Sequence, residues 1–138
     1  YAVGGHLSSL EIDVDDTIAA LFKYEDHARS VPVQLHLSFA QGEERREGTI
    51  LMDHGVIFYN LITNEISVIN HQQELVSQHA YPALTRNELF LEEVKHFLEC
   101  IKNKHQTLIS LKEARKSLLM CLAIHRSLET KRPEHIES

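Results

Sequence analysis

The 138 residues suit one folded domain, and 43% apolar with 25% charged side chains is the balance of a globular chain able to bury a core. Fourteen basic against twenty acidic side chains leave −6, which excludes the basic footprint of a nucleic-acid binder. The longest wholly apolar run, "LLMCLAI" (118–124), is too short to cross a bilayer, and two cysteines make no disulfide framework, so a cytoplasmic protein with no membrane partner is expected.

The first half alternates. In "DTIAALFKYE", Ile18, Ala20, Phe22 and Tyr24 fall on one face and Thr17, Ala19, Leu21 and Lys23 on the other, which predicts a strand. "EDHAR" reads as a turn. "VPVQLHLSFA" follows with Val33, Leu35, Leu37 and Phe39 opposite Gln34, His36 and Ser38, and Pro32 belongs near its start. "QGEERREG" is a solvated hairpin loop. "TILM", the turn "DHG", "VIFYNLI", the turn "TN" and "EISVIN" then form a meander, for five or six antiparallel strands in all.

The second half changes period. Thr85 with Glu88, and Ser110 with Glu113, have capping-box spacing, and each opens a helix. Leu91, Val94, Phe97, Leu98 and Ile101 make one apolar stripe. Leu111, Ala114, Leu118, Cys121, Leu122 and His125 make a second. The second helix is apolar nearly all round and is expected to be deeply buried. "KNKHQT" connects the two, and Pro133 stops the second helix's extension. Strands followed by two helices predict a single α+β domain over 1–138. Its open antiparallel sheet carries both helices on one face. The other face, where Ala19 and Leu21 stand among polar residues, is left for a partner subunit.

Two constellations invite a metal. Asp13, Asp15 and Asp16 have the spacing of a calcium-loop start, but no glycine follows and no glutamate closes a twelve-residue loop. They read as acids at the start of a strand, with a carboxylate bonding nearby backbone N–H groups. His96 with Cys100, and Cys121 with His125, each share a helix face at i, i+4, and together they have the donors of a zinc site. Free cysteines in apolar stripes are more simply small core residues, so no metal is expected. Glu93 with His96 lacks the second copy that a di-iron bundle needs. No G-x-S-x-G elbow marks a nucleophile.

The ordered set "DVDDTIAALFKYED", "VQLHLSFA", "GTILMDHGVIFYN", "RNELFLEEVKHFLECI" and "SLKEARKSLLMCLAIHRSLET" spans nearly the whole chain. It resembles the C-terminal domain of the glucose–fructose oxidoreductase / inositol dehydrogenase (Gfo/Idh/MocA) family. The resemblance implies a substrate-binding and oligomerisation domain of an NAD- or NADP-dependent enzyme acting on a sugar or sugar derivative. The dinucleotide would sit on an N-terminal Rossmann domain. No G-x-G-x-x-G, Glu-Lys-Pro stretch or active-site Asp/His helix occurs in this chain, so the expectation is a C-terminal piece, inactive alone, with no cofactor-binding or catalytic residue. Comparison with relatives that act on amino- or nucleotide-linked sugars points to Tyr81, Arg86 and Asn87 as substrate contacts. A helix start and a guanidinium suit an anionic group. The alternative is a stand-alone binding or oligomerisation module of the same fold, without catalysis.

Overall fold

The computed structural model describes residues 1–26, 29–82 and 85–136. The chain forms two compact units. One contains 1–41 and 106–138, and the other contains 42–105. The class is α+β, with open antiparallel sheets and two C-terminal helices.

In the first unit, β1 (Ala2–Gly5), β2 (Thr17–Asp26) and β3 (Arg29–Ser38) form a sheet in that order. Register pairs Ala2 with Ala20 and Ala20 with Leu35, and places Val3 opposite Ala19 on the reverse face. Helix α2 (Leu111–Thr130) packs on β1. Ala2, Ala20, Ile124 and Leu128 make the buried cluster, with Ile18, Phe22 and Leu35 packed around it. Strand β1, "AVGG", escaped the sequence reading because four residues with two glycines carry no alternation. Ser127 pins it: the buried hydroxyl accepts the Ala2 N–H at 2.9 Å and donates to the Arg132 carbonyl at 2.7 Å. The expected "EDHAR" turn includes His27 and Ala28, which lie outside the described residues.

The face of α2 that packs differs from the stripe expected. Ala123, Ile124, Ser127 and Leu128 are buried, whereas Leu111, Leu118 and Leu122 are exposed. A segment apolar all round gives periodicity no way to choose its inner side. Small Ala123 and Ser127 let the helix approach β1 closely, and the sheet takes that side.

In the second unit, β4 (Glu47–Met52), β5 (Gly55–Asn60), β6 (Glu65–Asn70) and β7 (Leu75–Ala80) form a meander in chain order. Met52 pairs with Gly55, so "DH" is the tight turn. A Cβ at Gly55 would collide with the Ile69 carbonyl, so the glycine is required by close approach. The next turn begins earlier than "TN". Asn60 pairs with Glu65, and its Oδ1 accepts the N–H groups of Ile62 and Thr63 at 2.8 and 3.0 Å. Leu61 and Ile62 therefore leave the strand. Replacing Asn60 with alanine is expected to cost about 1 kcal/mol, read by chemical denaturation, because two turn N–H groups lose their acceptor. Strand β7 was missed because "LVSQHA" mixes polar and apolar positions and its pairing shifts register at Val68/Ile69.

Helix α1 (Arg86–Asn103) completes the second unit. Both capping boxes are present: Thr85 with Glu88, and Ser110 with Glu113. Both helices end on lysines in the left-handed region, Lys104 and Lys131. Cys100 is the buried residue of α1, and its expected apolar stripe remains about half exposed. No helix among the described residues is long and apolar enough to cross a membrane.

Candidate functional site

Asp16 is the most tightly held polar side chain of the first unit. It is 2% exposed. Its carboxylate accepts the N–H of Leu7 at 3.1 Å, and the N–H and hydroxyl of Ser8 at 2.9 and 2.8 Å. The His6 imidazole Nδ1 stands 3.2 Å away. Its backbone joins three strands, since the Asp16 N–H donates to Gly5 and the Asp16 carbonyl accepts from Phe39. Burial alone would push the carboxyl up. The Ser8 and Leu7 N–H groups, with the Ser8 and Thr17 hydroxyls, outweigh it and hold Asp16 well below the usual carboxylate range. Asp16 thus fixes the start of β2 and the loop before it. Asp13 stays exposed and Asp15 half-buried, and among the described residues no three His, Cys, Asp or Glu side chains gather as metal ligands.

The helix pairs keep to their own elements. Cys100 Sγ lies 3.6 Å from His96 Nε2 on α1. Cys121 is exposed on α2, in the other unit.

Among the described residues each unit carries a cleft. One, of about 500 Å³, lies in the first unit, where Ala20, Phe22, Ile124 and Ser127 form the floor and 133–136 a wall. The other, of about 280 Å³, lies in the second unit and holds a residue singled out from the sequence. Its walls are Tyr59, Asn60, Leu61, Asn64, Glu65, Ile66, Tyr81, Pro82 and Leu89. The β5–β6 hairpin, strand ends and turn together, supplies six of the nine. Tyr81 is placed by its own N–H, which donates to the Asn64 carbonyl at 2.9 Å. Asn64 sits in the left-handed region, with φ 56°. The Tyr59 ring lies over Gly48 on the neighbouring strand, the contact that a side chain at 48 would prevent.

Arg86 and Asn87 begin α1 but fall outside this lining. The Arg86 guanidinium stacks over Phe90, 5.7 Å from the ring centre. At the same helix start the Glu88 carboxylate accepts the Thr85 N–H at 2.7 Å, and this bond, with the Thr85 hydroxyl, draws its proton affinity below the ordinary value. A carboxylate already occupies part of the positive end of α1. The described lining carries one acid, Glu65, and no basic side chain, so it suits an uncharged or cationic ligand with an apolar face. Tyr59, Asn64 and Glu65 were not singled out from the sequence. The only signal available was "YNLITNE", an asparagine-rich turn preceded by a tyrosine.

No protein-family model, curated protein or solved structure matches the chain.

Proposed function

We propose that the chain is the C-terminal substrate-binding and oligomerisation domain of a cytoplasmic NAD(P)-dependent oxidoreductase acting on a sugar or sugar derivative. The reading rests on the Gfo/Idh/MocA resemblance and on one observation, the cleft that puts Tyr81 and Tyr59 with Asn64 and Glu65. Tyrosine rings offer flat apolar walls to the C–H face of a sugar ring, while amide and carboxylate oxygens accept its hydroxyl protons. Arg86 and Asn87 flank that cleft in sequence and would meet the more distant part of a substituted sugar.

The dinucleotide belongs to another domain of the intact enzyme. The residues here do not fit it: Gly4, Gly5, Gly48 and Gly55 sit in strands, and Thr85 and Ser110, not glycines, precede the helices. Among the described residues, glycines held in strands and hydroxyl-capped helices do not make the glycine-rich turn a pyrophosphate needs. Self-association would use the face of β1–β2–β3 turned from α2, where Val3, Ala19 and Leu21 stand.

The test is an NMR titration of the whole chain with N-acetylglucosamine and its uridine diphosphate ester. Millimolar sugar is expected to shift the amides of 59–66 and 81, and Tyr81→Ala to weaken binding by about tenfold or more. NADH is expected not to bind. Sugar that perturbs nothing, or NADH bound at micromolar affinity, would overturn the reading.

A further inference from the structure

The loop between β1 and β2 shows an odd combination. Asp16 holds it rigidly from within, and Leu10 is tied to it through Ser8 Oγ and through Ile12. Yet Leu7 and Val14 are more than half exposed, and Leu10 and Ile12 more than a third. Four aliphatic side chains presented on an ordered loop incur a solvation cost with no return within the described residues of the first unit. Glu11, Asp13 and Asp15 alternate with them. That charge disfavours an anionic membrane or a nucleic acid as the covering surface.

The same unit carries the complementary surface. Leu111, Leu118 and Leu122 form the outward stripe of α2, turned from the side that holds Ile124 and Leu128, and Leu118 is 59% exposed. Along one flank of that stripe, at helical repeat, run Lys112, Arg115 and Arg126. The stripe from Leu111 to Leu122 is about 16 Å long, enough for a loop of this size. Within one copy the two surfaces do not meet, since the apolar residues of both are exposed.

We propose that the 6–16 loop docks on the outward stripe of α2 in a second copy of this chain. Each copy gives its loop and receives the other's. Two-fold symmetry makes such a contact twice, which is how a small patch reaches the size of a stable interface. Asp16 serves the contact by ordering the loop beforehand, so association does not carry that entropy cost. Three carboxylates against three basic side chains fix the partner and the register. This surface is separate from the sheet face named above.

Sedimentation velocity of the full chain over a range of concentrations tests the proposal. An association step distinct from any through the sheet face is expected, whose dissociation constant rises about tenfold or more between low and high salt. Reversing the loop (E11K/D13K) or the helix (R115E/R126E) should weaken it about tenfold each, and combining both reversals should restore it to within about threefold. All four positions are exposed, and the neutral variants E11Q/D13Q and R115Q/R126Q give the same weakening without reversed charge. A monomer at every concentration overturns the proposal, as does a dimer indifferent to both reversals. So does a dimer tightened by E11K/D13K, since that is what mere relief of net negative charge would produce.

Discussion

Replacing Asp16 with asparagine is expected to lower the thermal midpoint at neutral pH by about 10 °C or more. The carboxylate is buried and accepts from Leu7 and Ser8, with His6 beside it. An amide keeps the shape but turns N–H groups toward donors, leaving buried N–H groups without an acceptor. The pH dependence carries the sign of a depressed carboxyl. In the folded chain Asp16 is held below its ordinary value, so its contribution is complete above about pH 4 and is lost as pH falls further, through the folded value. Wild type should therefore lose its advantage over D16N below about pH 4, and the two melting curves should converge in acid. Equal midpoints at pH 7, by circular dichroism, would show that the Asp16 bonds are not what holds the loop.

The second large effect is expected at Ile124. Ile124→Ala should destabilise by about 2–4 kcal/mol, because the side chain lies in the small buried cluster with Ala2, Ala20 and Leu128. Ala2 and Ala20 are already minimal, so the sheet cannot fill the space left behind. Leu118→Ala, about one and two-thirds turns earlier and facing out, should change the stability of the monomer by no more than about 0.5 kcal/mol. Urea denaturation of both at low concentration decides which side of α2 is internal. A larger loss at Leu118 would reverse the assignment.

That pair also shows what the sequence made legible. Polar–apolar alternation in β2 and β3 identified both strands, since a period of two has only two phases, but of the apolar faces it grouped only Ile18, Ala20, Phe22 and Leu35 pack inward, whereas Tyr24, Val33, Leu37 and Phe39 stay exposed. Capping boxes located both helix starts to the residue, because the cap is a local hydrogen-bond exchange. The inner side of α2 was not legible: "LLMCLAI" offers apolar side chains all round, and Ser127, the residue that seats β1, looks polar. The partner of Ser127 lies 125 residues away, and no local pattern reveals it. Of the three residues singled out, Tyr81 alone lines the cleft, and Arg86 and Asn87 do not. Tyr81 was picked out, whereas Tyr59, Asn64 and Glu65 join it through a strand turn that shifted when Asn60 took the Ile62 and Thr63 N–H groups.

The first unit draws on both ends of the sequence, 1–41 and 106–138, with the second unit wholly between them. A nascent chain leaving the ribosome therefore holds β1, β2 and β3 without a cover until α2 has been synthesised. The β4–β7 meander has all its strand pairings within 47–80 and can close meanwhile. During that interval Ala20, Phe22 and Leu35 stay open to water, and a truncated product ending before residue 111 would keep them so. The early strands are thus the stretch of this protein most in need of a chaperone while translation continues.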